Sequence, residues 1–162
     1  MAAVLVLHAW HANAKGVYTQ TPYQAQKAVF DFYFDQPEKM YAALFWLRSF
    51  VTPLSEQPYN HSIEDHKIII VVHGRELVTL AKKNYKKYRT TVDRLRYYVN
   101  RGVQVRVCAI AMADFGYKVD DFYSFVKVVP SAIVELSHWQ SKGYSLITPR
   151  ILSKQQTNRE IR

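Results

Sequence analysis

Apolar and polar residues along this chain fall into blocks whose period switches between that of a strand and that of a helix. "KAVFDFYFD", Lys27 to Asp35, is β-branched and aromatic at strand length. Asp35 is placed to cap a helix, with Pro37 in the first turn and Glu38 beside it. Met40, Ala43, Leu44, Leu47, Val51 and Leu54 then recur at helical spacing. Tyr41, Phe45 and Trp46 widen that stripe beyond one face, so a second surface such as another subunit is expected to cover it. "TPLSEQPYNHSIEDH" reads as a loop. "KIIIVVHG" follows with five consecutive β-branched residues, the mark of a strand buried on both faces in a parallel sheet.

Glu76 to Lys82 reads as a short helix. A basic linker leads to "TTVDRLRYYVNRG", which Thr90 or Thr91 can cap and Gly102 can stop. "VQVRVCA" is the third strand, and a loop with a short helix separates it from "VKVVP". Ser131 can cap the helix "SAIVELSHWQSK", Gly143 stops it, and "YSLIT" is the last strand. The alternation predicts right-handed crossovers and a three-layer, flavodoxin-like α/β sandwich. Its five-stranded, mainly parallel sheet would carry helices on both faces, in the order 2-1-3-4-5. Residues 27–149 form the domain, 1–26 an N-terminal arm or signal-peptide remnant, and 150–162 a basic tail.

Composition agrees with one packed domain: 162 residues, 49% hydrophobic and 14% aromatic. The net charge of +9 is concentrated locally. Lys82, Lys83, Lys86, Lys87, Arg89, Arg94, Arg96, Arg101 and Arg106 accompany a single acid, Asp93, and the tail adds Arg150, Lys154, Arg159 and Arg162 against Glu160. Such a stretch is a solvated helix face or an attractant for anions, acidic partners or nucleic acid. No recognised nucleic-acid motif accompanies it, so nucleic-acid binding ranks last. No apolar run is long enough to span a bilayer. Ala2 to Leu7 is a short apolar run, and Ala12-Asn13-Ala14 has the form of a signal-peptidase site without a preceding Lys or Arg. Export is slightly favoured over a cytoplasmic location.

Cys108 is the only cysteine, which excludes an intramolecular disulfide. It ends the third strand, at the carboxyl edge where open parallel sheets bind ligands, and in the predicted order strands one and three flank the switch point. It reads either as a buried small hydrophobe or as a nucleophile needing its thiolate form. Arg106, two residues earlier, shares its strand face and is a candidate support. His73 ends the second strand as a satisfied histidine or a proton carrier near Cys108. Gly74 permits a tight turn rather than binding phosphate, since no Walker or G-x-G-x-x-G pattern occurs. His8, His11, His61 and His66 have no zinc spacing, and His138-Trp139 reads as core or interface packing.

"KIIIVVHG", "RGVQVRVCAIAM" and "KVVPSAIVELSHWQSKGYSLITP" together resemble the DsrE/DsrF-like family of sulfur-relay proteins, in matching order from Lys27 to Pro149. The resemblance implies a flavodoxin-like sandwich assembled as a homotrimer or homohexamer. It implies that Cys108 carries sulfane sulfur as a persulfide between a donor and an acceptor protein thiol. His73, Gly74, Arg106 and Ser131 lie nearby as supporting residues, and no metal or organic cofactor is implied. The family's polar residues after the cysteine are replaced here by Ala109, Ile110 and Ala111. A non-catalytic oligomeric binding protein with a structural cysteine is the alternative.

Overall fold

The computed structural model describes residues 15–153 and 155–162. The expectation of a signal-like segment at residues 1–14 lies outside the described residues. Five strands, β1 (Lys27–Phe32), β2 (Lys67–Val72), β3 (Gln104–Cys108), β4 (Val126–Val129) and β5 (Ser145–Ile147), form one wholly parallel sheet. Four helices connect them: α1 (Lys39–Ser55), α2 (Tyr85–Val99), α3 (Ala109–Asp114) and α4 (Ala132–Ser141). The three-layer α/β sandwich is as expected from the alternation of strands and helices.

The strand order is not. It runs β4-β3-β2-β1-β5, where 2-1-3-4-5 was expected. The chain steps outward from β1 to β4 and then returns across the sheet to the far side of β1. Right-handed crossovers taken in one direction put α1 and α2 on one face, and the returning crossover puts α4 on the other. The reversal therefore lies at β1, between β2 and β5, and Cys108 on β3 does not flank it.

The two faces divide the core by strand parity. Ala28, Phe30, Phe32, Ile68, Ile70, Val72, Val105 and Val107 pack under α1 and α2 with Met40, Leu44, Leu47 and Leu95. Each of these buried Val, Leu, Ile, Phe and Met side chains contributes about 1.5–3 kcal/mol. The opposite face is thinner: Val29, Ile69, Val71 and Cys108 pack against Ala132 and Leu136 of α4.

Several boundaries differ from the sequence reading. α1 starts at Lys39, and Asp35 pairs with Lys39 at 2.6 Å instead of capping the helix. α1 also continues through Pro53 into the segment read as loop. Glu76 to Lys82 is not an α-helix; tight 3₁₀ turns occupy Arg75–Leu80 and Lys82–Asn84. α2 begins at Tyr85, with a kink at Tyr88, so Thr90 and Thr91 lie inside it rather than at its cap. Ser131 precedes α4, but its side chain makes no capping hydrogen bond; its carbonyl accepts from Glu135 N–H at 3.0 Å. Gly102 and Gly143 do end their helices, at φ of 90° and 80°, the left-handed region that glycine tolerates. Among the described residues no helix is long and apolar enough to cross a membrane.

Candidate functional site

Cys108 is the last residue of β3 and immediately precedes α3. It pairs in register with Val129. Strand parity turns its side chain to the α4 face, where only 5% of the residue is exposed. The sulfur accepts no capping hydrogen bond from α3.

Arg106 shares that face, as its spacing implies, but its charge is committed elsewhere. Its guanidinium lies 2.7 Å from the Glu135 carboxylate of α4 and donates to Gln104 Oε1 at 2.9 Å. It also sits over the Trp139 ring at 4.8 Å, while Trp139 Nε1 donates to the same Glu135 carboxylate. The group is therefore a clamp between β3 and α4, with both charged side chains largely buried. Arg106 Nε is buried without a hydrogen-bond partner among the described residues. Trp139 belongs to this packing, as its mid-helix position suggested.

His73 follows β2. The register pairing Val72 with Val107 sets His73 level with Cys108 on the neighbouring strand and on the same face. No hydrogen bond joins them among the described residues. His73 Nε2 instead lies 2.7 Å from Asp31 Oδ1, and Tyr33, itself 69% exposed, stacks on the imidazole at 4.8 Å. Asp31 and Tyr33 reach His73 because β1 stands beside β2, an adjacency that the expected strand order shares.

Gly74 adopts an ordinary extended conformation, with φ −99°, so a glycine-only turn is not its reason. A Cβ there would stand 2.4 Å from Glu76 Oε2 and 2.5 Å from the Phe34 nitrogen. The close approach exists because Glu76, fully buried, accepts the N–H groups of Phe34 and Gly74, each at 2.8 Å. Burial pushes the Glu76 carboxyl up, against the opposing pull of those two donors. This carboxylate ties the end of β1 to the turn after β2. Sequence reading missed it because an acid in "HGREL" has the pattern of an exposed first helical turn.

A cleft of about 590 Å³ opens beside these residues at the carboxyl edge. Tyr33, Asp35, His73, Arg75, Asp114 and Phe115 line it; Cys108 and Ser131 do not. The sequence-selected residues thus separate into the His73–Gly74 cleft and the packed Cys108–Arg106 group under α4. Among the described residues no cluster of three His, Cys, Asp or Glu side chains could hold a metal ion.

These features define a parallel α/β sandwich with a histidine-containing cleft at its carboxyl edge and a cysteine ending its third strand. The chain belongs to the DsrE/DsrF-like family, whose model matches residues 17–149. Among solved structures, that of the protein of unknown function MTH1491 from Methanobacterium thermoautotrophicum is similar. The TM-score is 0.60 at 20% identity, over 76% of this chain and 99% of that one, a likeness of fold. No curated protein matches the sequence.

Proposed function

We propose that this protein acts in sulfur relay, with Cys108 taking up sulfane sulfur. The observation carrying this reading is the position of Cys108, ending a strand at the carboxyl edge of the sheet in a chain of the DsrE/DsrF-like family. The Cys108 thiolate attacks the outer sulfur of a persulfide or polysulfide donor. A new S–S bond forms, the donor's own S–S bond breaks, and the donor leaves as a thiolate or shortened polysulfide with the electron pair. An acceptor thiolate then attacks the outer sulfur of the Cys108 persulfide and releases the Cys108 thiolate. One zero-valent sulfur moves at each step without net oxidation, so the exchange needs thiolate and access but no metal or organic cofactor. Donor and acceptor protein thiols are the partners proposed, and a homotrimer or homohexamer the assembly.

A second reading is favoured by burial. With 5% exposure beside Val29, Ile69, Val71 and Leu136, Cys108 packs as a small hydrophobe. The protein would then be an oligomeric binding protein, with the His73 cleft as its ligand site. In the relay reading, α3 or α4 must move to uncover the sulfur.

Polysulfide treatment followed by intact-mass measurement separates the two. Relay predicts a gain of one sulfur in folded protein, reversed by a reducing thiol and absent in Cys108→Ser. Absence of any gain in folded wild-type protein overturns relay and leaves the structural cysteine.

A further inference from the structure

We infer that the groove between α1 and α2, at the amino edge of the sheet, binds a small organic molecule bearing a phosphate-type oxyanion. The groove encloses about 560 Å³, within the range of small-molecule sites. Arg48 of α1, Arg94 of α2 and Arg101 just beyond α2 all line it. None of the three forms an ion pair among the described residues; the neighbouring Arg89 and Arg96 share Asp93, and Arg106 takes Glu135.

Two of these guanidinium groups are held in place. Arg94 stacks on Phe45 at 4.4 Å and on Tyr41 at 5.3 Å. Arg101 stacks on Tyr97 at 3.8 Å and donates to the Tyr97 carbonyl at 3.2 Å. Planar cations fixed in advance lose little freedom on meeting an oxyanion, which they bind in forked pairs. Tyr98 lies among them, its hydroxyl pushed up by burial against the opposing pull of Arg94 and Arg48. Val51 and Ile63 supply apolar wall for an organic portion.

The negative ends of α1 and α2 offset part of this charge, although neither Arg48 nor Arg94 lies in the last turn of its helix. Each helix end carries roughly half a negative charge. Among the described residues Glu64 is the one carboxylate lining the groove. Three guanidinium groups exceed both contributions, so the groove keeps a net positive charge.

The test uses phenyl phosphate, titrated calorimetrically into the full chain at low salt. One molecule is expected to bind per chain. Arg48→Gln and Arg101→Gln should each weaken it by about tenfold, as loss of a charge-assisted hydrogen bond implies. Glu64→Gln should tighten it by removing repulsion. Circular dichroism and melting temperature confirm that each variant is folded. The inference is overturned if phenyl phosphate does not bind at millimolar concentration, or if the double variant Arg48→Gln/Arg101→Gln binds as wild type does. It is also overturned if an oligonucleotide binds with steep salt dependence while phenyl phosphate fails, which would assign the basic face to an extended polyanion. Cys108 lies at the opposite edge of the sheet, so sulfur uptake and phosphate binding can fail separately.

Discussion

The Arg106 guanidinium lies 2.7 Å from the Glu135 carboxylate, joining β3 to α4 two residues before Cys108. The pair therefore holds the helix that covers the sulfur. Removing one member leaves the other charge largely buried and unpaired, at a cost of about 3–5 kcal/mol. Glu135→Ala should lower the urea midpoint accordingly. Arg106→Met combined with Glu135→Leu should lose less than either single change, because no orphan charge remains. Loosened cover should also speed alkylation of Cys108 in folded Glu135→Gln relative to wild type.

Cys108 itself should react slowly with a bulky aromatic disulfide reagent in the folded protein and fully after unfolding, since 5% of the residue is exposed. Cys108→Ser sets a hydroxyl among Val29, Ile69 and Val71 and should cost about 1–3 kcal/mol. Cys108→Ala leaves no polar group and should cost less. Thermal melts of the three proteins at one pH check the order.

Gly74→Ala should be destabilising by about 1–3 kcal/mol or more, because its methyl meets backbone that cannot retreat without moving β1. Glu76 adds a pH dependence. Burial raises its carboxyl above the ordinary value, so the folded chain holds that proton more tightly than the unfolded chain does. Its contribution is fully present below the ordinary carboxylate value and is lost as pH rises through the folded value. Glu76→Gln should abolish that slope in denaturation profiles while lowering stability throughout, since its amide NH₂ faces a backbone N–H donor.

His66 acts in the opposite sense. It is 4% exposed, its Nδ1 accepts the Gln26 N–H at 3.0 Å, and burial lowers its pKa, with His61 adding to the effect. The folded chain therefore binds this proton less tightly. Stability is present above the ordinary histidine value and is lost as pH falls through the lower folded value. His66→Asn, whose side-chain oxygen can accept the same N–H, should flatten the loss between neutral and mildly acidic pH. An unchanged profile would show that His66 does not govern it.

The strands and helices were legible from local pattern. Five β-branched residues before His73 mark β2, and Gly102 and Gly143 end helices because they accept a left-handed backbone. Strand parity also places Arg106 and Cys108 on one face. Strand order was not legible, because every order compatible with right-handed crossovers has the same residue periodicity. The β1–β2 adjacency that brings Asp31 to His73 is common to the expected and observed orders; the observed one sets β2, rather than β1, beside β3 and so brings His73 level with Cys108. Only packing decided that Arg106 would meet Glu135 instead of the sulfur, that Cys108 would lie under α4, and that Glu76 would be buried against Gly74 and Phe34. Partners of these kinds lie dozens of residues apart or in a segment with exposed-helix pattern, and local periodicity carries no record of which side chains meet.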